Sequence, residues 1–412
     1  MKFKSEFLNE IKKRGFIYQD TDIENLDTII SKNKISGYIG FDITSDSLHV
    51  GSLIQLMLLH WLDYYGHQSI ALVGGGTTLI GDPSGKDETR KILTKNEIDK
   101  NIDNIKQTFS RFINLKKDSI IINNYDWLSK LNYIDFLREF GSKITLNRML
   151  TFESVKARLD REQPLTILEF NYMLLQAYDF VYLNKNYNCI LQMGGSDQWG
   201  NILSGVDLIR KINKNDAFGI TSPLITNSDG TKMGKTSDGA IWLNKKKISS
   251  LDFFQFWRNV NDNDVTKFLY LFTKLPIKEI VKLSELREQE INEAKKILAY
   301  EVTKIVRGME DANEALEITN NTFNSNIIDQ RLPNISQKKL DIENESFTIL
   351  DAIEKLKLVK SRSEIKRLIK SKGIKINDQL YLNSNLSLKQ YSEFKEIKIS
   401  VGKKKNGILK II

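Results

Sequence analysis

Cysteine, proline and histidine are scarce in this sequence: one cysteine (Cys189), five prolines and three histidines (His49, His60 and His67) in 412 residues. One thiol excludes an intrachain disulfide framework, and three histidines without further cysteines leave no zinc-ligand spacing to draw. This usage fits a reducing compartment, so a cytoplasmic location is expected. No apolar run reaches the 18 or so residues that a membrane-spanning helix needs, and mean hydropathy is -0.34, so an integral membrane protein is not expected. The first ten residues carry charges that break every short apolar stretch and lack a small-residue cleavage site, so no signal peptide is expected. What the chain does have is length, enough for two or three domains at roughly 150 residues each.

The formal net charge of +9 is unevenly placed. Residues 348–412 hold 16 basic and 6 acidic side chains, leaving 45 basic and 46 acidic in the rest, so the C-terminal segment carries the whole excess. A neutral body with a basic end implies a polyanionic partner held at that end, since each phosphate neutralised by Lys or Arg releases a counterion. Leu350, Ile353, Leu356 and Leu358 recur at helical spacing, and Ser361 to Glu364 has the form of a capping box opening a second helix that Gly373 stops. That helix would bury Ile365, Leu368 and Ile369 and spread Arg362, Lys366, Arg367 and Lys370 over its other side. Strand-like runs follow at 374–376 and 397–401, and Asn406-Gly407 reads as a hairpin turn. These features describe a folded α+β module with a basic face.

Upstream, residues 320–347 are polar and weakly periodic and read as a linker. From 248 to about 315 the pattern is helical, including 251–257, 264–272 and 291–307. Before it, strand-like runs at 37–41, 69–73 and 189–193 alternate with long helical patterns, the mark of an α/β fold with a doubly wound parallel sheet, Rossmann-like. The expected division is an α/β domain over 1–220, a loop and helical domain over 221–319, the linker, and the basic module over 348–412.

Ligands bind at the carboxyl ends of strands in such sheets, so the segments after those strands carry the interest. The first strand leads through an Asp-, Ser- and Thr-rich turn to His49, at the start of an amphipathic helix whose free N–H groups favour an anion; Gly51 there suggests close approach to the backbone. The second leads to Gly74-Gly-Gly-Thr-Thr-Leu-Ile-Gly-Asp82, where Gly76 and Gly81 have the spacing of a phosphate-binding loop but Asp82 stands where its lysine must be. A flexible glycine turn that presents a carboxylate, ahead of Lys86 and Arg90, remains open as either a plain connection or a ligand site. Residues 166–181 form a helix apolar almost all round, in which Tyr172, Gln176 and Asp179 share one stripe; polar groups so placed suggest a pocket for a phenol hydroxyl or an ammonium. After the third strand, Asp197 and Gln198 could hold a ribose or an amino group, and in the loop around 229–239 Lys232, Lys235 and Thr236 could swing onto a polyphosphate.

Together these motifs resemble one family. His-Val-Gly-Ser at 49–52 is similar to the His-Ile-Gly-His signature of class I aminoacyl-tRNA synthetases, and Lys-Met-Gly-Lys-Thr at 232–236 to their Lys-Met-Ser-Lys-Ser loop. Gly-Phe-Asp-Ile-Thr-Ser-Asp-Ser-Leu-His at 40–49, Gly-Asp-Pro-Ser-Gly-Lys at 81–86, Asn-Tyr-Asp-Trp at 124–127, Tyr-Met-Leu-Leu-Gln-Ala-Tyr-Asp at 172–179 and Gly-Gly-Ser-Asp-Gln-Trp-Gly-Asn at 194–201 look like the bacterial tyrosyl enzymes, and the C-terminal module resembles their small RNA-binding fold. The resemblance implies ATP-dependent attachment of tyrosine to its tRNA through tyrosyl-adenylate, with Mg-ATP as substrate, no protein-bound metal or organic cofactor, and a homodimer. By position it implies that Tyr38 and Asp179 bond the tyrosine hydroxyl, that Asp82, Tyr172 and Gln176 hold its ammonium, and that Gly40, Asp42 and Gln198 complete the pocket. Asp197 would hold the ATP ribose, Thr44, His49 and Ser52 would serve the ATP site, and Lys86, Arg90, Lys232, Lys235 and Thr236 would close on departing pyrophosphate. Ser52 replaces the second signature histidine, Gly234 the loop serine, and Ile39 a ribose-contacting cysteine of some relatives. The rivals are a tryptophanyl enzyme of the same fold and an inactive RNA-binding protein on this scaffold.

Overall fold

The computed structural model describes residues 2–82, 93–228, 230–231, 233–236, 239–323, 330–359, 361–382, 385–402 and 405–412, with the backbone alone at 153, 154, 157, 235, 236, 322 and 323. The chain forms two compact units, Met1–Ser249 with Trp257–Arg307, and Ser250–Phe256 with Gly308–Ile412. These limits differ from the expected domains, because the helices over 262–307 pack with the sheet unit.

In the first unit, short apolar runs that end in glycine or polar turns form one sheet. Its strands are β1 (Gln19–Asp20), β2 (Ser36–Phe41), β3 (Gln68–Val73), β4 (Ile120–Asn123), β5 (Cys189–Gly195) and β6 (Phe218–Ser222), in the order β1-β6-β5-β2-β3-β4. All neighbours are parallel except β1, which runs antiparallel to β6. The central strands are buried along nearly their whole length, as helices on both faces require. Connections leave β2 toward β3 on one side while β5 lies on the other, so the crevice between the carboxyl ends of β2 and β5 is the topological switch point.

The helices that matter to this crevice are α1 (Glu6–Lys13), α2 (Leu53–Tyr64), α3 (Gly75–Ile80), α4 (Lys95–Phe109), α5 (Ile167–Tyr187) and α6 (Trp199–Ile212). The segment 74–81 is thus mostly helix, not the flexible glycine turn expected. Gly75 is required there because a side chain would run into Asn123. A two-residue ladder, β7 (Lys235–Thr236) with β8 (Gly239–Ala240), follows. The unit continues with α7 (Asp262–Phe272), α8 (Ile277–Ser284) and α9 (Ile291–Arg307).

In the second unit, β9 (Asn334–Gln337), β10 (Ile374–Ile376), β11 (Gln379–Leu380), β12 (Glu396–Val401) and β13 (Lys405–Ile411) form a sheet in the order β11-β10-β12-β13-β9. It packs on α10 (Ile349–Lys355) and α11 (Arg362–Lys370) around Leu350, Ile353, Leu356, Ile365, Ile374 and Ile399. Two expectations are corrected here. The stretch 320–347 is no simple linker, since β9 pairs parallel with β13 and Ile342 joins the core. Asn406-Gly407 lies inside β13, opposite Ser400 and Ile399; Gly402, at φ +62°, belongs to the connection instead. Gly407 is small because a Cβ there would stand 3.0 Å from Leu356. Lys366, Arg367 and Lys370 are exposed as expected, whereas Arg362 is paired with Asp351 and Glu354.

Candidate active site

α5 supplies the floor of the site. Thr166 and Glu169 cap it reciprocally, and the buried Arg158 guanidinium bonds Glu169 at 3.1 Å, which fixes where the helix begins. From that start the i, i+4, i+7 spacing delivers Tyr172, Gln176 and Asp179 to the wall of one cavity of 330 Å³, at the carboxyl ends of β2 and β5.

One end of the cavity is a desolvated hydroxyl-binding corner. Asp179, 1% exposed, accepts from Asn124 Nδ2 at 2.9 Å and Trp127 Nε1 at 2.8 Å. Burial raises its pKa to about 7; those two hydrogen bonds pull it down and Asp42 pushes it up. The Tyr38 hydroxyl, on a side chain 1% exposed, has no hydrogen-bond partner among the described residues, and burial, with Asp179 adding to it, holds its pKa well above the usual phenol range. Leaving a buried hydroxyl unpaired costs about 1–3 kcal/mol, so this corner is complementary to a group that both accepts and donates.

The other end is anionic. Asp42 accepts from the Tyr172 hydroxyl at 3.2 Å and Thr77 Oγ1 at 3.3 Å. Asp82 accepts from Gln198 Nε2 at 3.0 Å, and Gln198 Oε1 in turn accepts from Gln176 Nε2 at 3.2 Å, leaving the buried Gln176 Oε1 without a partner among the described residues. Two carboxylates and an idle amide oxygen suit an ammonium group.

Along the rim lie His49, Ser52, Gln55, Gly195 and Asp197. His49 precedes a short 3-10 turn, Val50–Ser52, and its Nδ1 accepts the Gly51 N–H at 2.9 Å, leaving the ring proton for Nε2. Gly51 makes room for that imidazole: a Cβ would lie 2.6 Å from His49 Cε1. The stretch after the lysine loop is tied to the same segment, with Val50 N donating to Ile241 O and Leu243 N to Leu48 O, both at 2.8 Å. Gly234 sits at φ +79° and its carbonyl accepts from Ile241 N at 3.0 Å; a Cβ there would meet Val50 Cβ at 3.2 Å.

The cavity therefore gathers Tyr38, Ile39, Gly40, Asp42, His49, Ser52, Asp82, Tyr172, Gln176, Asp179, Asp197 and Gln198. Thr44 is exposed on the polar turn after β2 and does not line this cavity. Lys86, Arg90 and Lys232 lie outside the described residues, and Lys235 and Thr236 are described as backbone only. Sequence reasoning gave no role to Asn124, Trp127, Thr77, Gln55 or Gln192, all of them on the wall or behind it. A signal was available for Asn124, which directly follows β4, a strand absent from the expected set.

The sequence profile described as tRNA synthetases class I (W and Y) matches residues 31–324. A tyrosine--tRNA ligase of Pelagibacter ubique (strain HTCC1062) is 50% identical over 415 residues, covering 99% of this chain and 100% of the relative. One from Rickettsia bellii (strain RML369-C) is 47% identical over 416 residues, covering all of both. Among solved structures, a C-terminally truncated mitochondrial tyrosyl-tRNA synthetase of Aspergillus nidulans is similar with a TM-score of 0.70 at 29% identity, over 77% of this chain and 94% of that one. With its profile match, its full-length relatives and a cavity at the switch point of the sheet, the chain belongs to the class I tRNA synthetases of the tryptophan and tyrosine family.

Proposed function

We infer that the chain activates L-tyrosine with ATP and transfers it to tRNA. The observation that carries the choice of amino acid is the unpartnered Tyr38 hydroxyl beside Asp179. A phenol hydroxyl would accept from Tyr38 and donate to Asp179, satisfying both; an indole N–H could only donate, and would leave Tyr38 unpaired. At the opposite end Asp82, Tyr172 and Gln176 would hold the ammonium, with Asp42, Gly40 and Gln198 closing the pocket around it.

With tyrosine so held, its carboxylate attacks the α-phosphorus of Mg-ATP. A new C–O–P bond forms as the bond to the β-phosphate oxygen breaks, and pyrophosphate leaves with the electron pair. A terminal ribose hydroxyl of tRNA then attacks the tyrosyl carbonyl, the bond from that carbonyl to the phosphate oxygen breaks, and the hydroxyl proton passes to the phosphate of the departing AMP. We assign the ATP ribose to Asp197 and the phosphates to His49, with Ser52 on the same rim. By their place in the motifs, Lys86, Arg90, Lys232, Lys235 and Thr236 take the charge developing on pyrophosphate, where one well-placed donor is worth about 3 kcal/mol. No group in this set need act as a base, because catalysis consists of position and charge.

The exposed Tyr133, Ile134, Leu146, Leu150, Ile167 and Leu168 support a homodimer, since so much apolar surface in one stretch of chain is unusual for a monomer. The exposed Lys366, Arg367 and Lys370 support a tRNA-binding role for the C-terminal module, and the helices over 250–319 one in reading the anticodon. No helix among the described residues is long and apolar enough to cross a membrane, and a cytoplasmic location is proposed with that. ATP–pyrophosphate exchange by the purified protein tests the assignment: it should depend on tyrosine. Equal exchange with tryptophan, or none with either amino acid, overturns it.

A further inference from the structure

Apart from the catalytic cavity, the first unit contains a cleft of 510 Å³ where the turn after α4, the α7–α8 turn and α9 meet. Arg111, Lys274 and Lys304 come to it from those three elements, against a single carboxylate, Glu301. That carboxylate is already engaged, with Lys304 Nζ donating to its two oxygens at 3.1 and 3.3 Å. The side chains of Arg111 and Lys274 form no hydrogen bond or ion pair with a described residue. Two cations from separate elements thus converge on one concavity, where neither is held in an ion pair with a described carboxylate, although Asp63 and Glu301 act on Lys274 from a distance.

The cleft is also rigidly backed. Arg14, 3% exposed, stacks on Trp61 of α2 at 4.2 Å and donates to Tyr270 O, Thr273 O and Leu275 O at 3.1, 3.0 and 2.7 Å. This holds the turn that carries Lys274, while Glu10, 2.7 Å from Arg14 Nε, balances the charge of that guanidinium. Burial lowers the Lys274 pKa; Asp63 and Glu301 oppose that and Lys304 adds to it. His60 is pushed down to about 4 by burial first, then by Lys274 and Arg14. Leu275, Pro276 and Ile305 supply an apolar wall beside the cations.

We propose that this cleft binds a phosphate carried by a nucleotide unit, Arg111 and Lys274 taking the oxyanion and Leu275, Pro276 and Ile305 packing against its sugar or base. The guanidinium offers a planar fork and the ammonium a point charge, a common pairing for phosphate oxygens. The favoured source is the tRNA backbone, a choice that rests on the function proposed above; the other source is free phosphate.

The test uses full-length protein with Arg111→Gln/Lys274→Gln, and Arg111→Lys/Lys274→Arg as the charge-preserving control. Tyrosine-dependent pyrophosphate exchange should be unchanged in both, which checks the fold and the assigned activity separately from the cleft. The neutral pair should bind tRNA roughly ten-fold more weakly, with a log–log salt slope smaller by about 1, while the control stays near wild type. If tRNA binding is unaffected but stabilisation of the protein by millimolar inorganic phosphate is lost in the neutral pair, the site stands and its ligand is the free anion. If neither tRNA affinity nor phosphate stabilisation differs from wild type, the proposal is overturned.

Discussion

Tyr38 and Asp179 are buried in the same corner and interact electrostatically, yet no hydrogen bond joins them: both hydrogen bonds to Asp179 come from Asn124 and Trp127, and the Tyr38 hydroxyl has none. On the function proposed above, a phenol hydroxyl would bond both groups. Tyr38→Phe should act with opposite signs on stability and binding. Removing an unpaired buried hydroxyl should leave the ligand-free protein as stable as before or more so by up to about 1 kcal/mol, while tyrosine binds roughly ten-fold more weakly. Thermal melts with and without tyrosine measure both effects.

The raised pKa of Asp179 gives tyrosine binding a pH dependence of definite sign. Its folded value of about 7 lies above the ordinary carboxylate range, so the stability it contributes is present at low pH and is lost as pH rises toward 7. A phenol that donates to the ionised carboxylate favours the deprotonated form, so binding below pH 7 should release a proton. Tyrosine affinity should climb as pH rises to about 7 and level off above it. Calorimetry in two buffers of different ionisation enthalpy detects the proton, and Asp179→Asn should abolish it.

Asn124 serves both ends of the pocket: it donates to Asp179 and to Thr77 Oγ1, and accepts from Gly76 N at 2.7 Å at the start of the helix leading to Asp82. Asn124→Ala should raise KM for tyrosine by one to two orders of magnitude, about 1.5–3 kcal/mol, whereas Trp127→Phe, which removes one hydrogen bond to Asp179 and shortens the stack on Tyr182, should cost less. KM for ATP should move little in either variant. Steady-state exchange kinetics separate the two constants.

Gly234 marks where the lysine loop meets the His-Val-Gly-Ser segment. At φ +79° and with Val50 close by, Gly234→Ser should destabilise the native loop by about 1–2 kcal/mol and lower kcat for adenylate formation more than it raises KM for tyrosine. Pre-steady-state adenylate formation reads the effect.

The α/β alternation, the helix bearing Tyr172, Gln176 and Asp179, and the basic module were legible in the sequence because each rests on local periodicity. What sequence missed depends on pairing between distant segments. Asn124 and Trp127 matter only because β4 brings them beside α5, and Asn406-Gly407 mimics a hairpin turn although Gly407 serves contact with Leu356. Likewise β9 is polar and short, and becomes a strand only through its parallel pairing with β13. Gly51 suggested a ligand near the backbone, yet the neighbour it accommodates is the His49 ring.

The most direct test of the phenol-binding corner compares kcat/KM for tyrosine and phenylalanine in pyrophosphate exchange, in wild type and in Asp179→Asn. Wild type should prefer tyrosine by orders of magnitude, and the variant should lose most of that preference through its tyrosine term. A wild-type enzyme that used both amino acids equally, or a variant with its preference intact, would contradict the account.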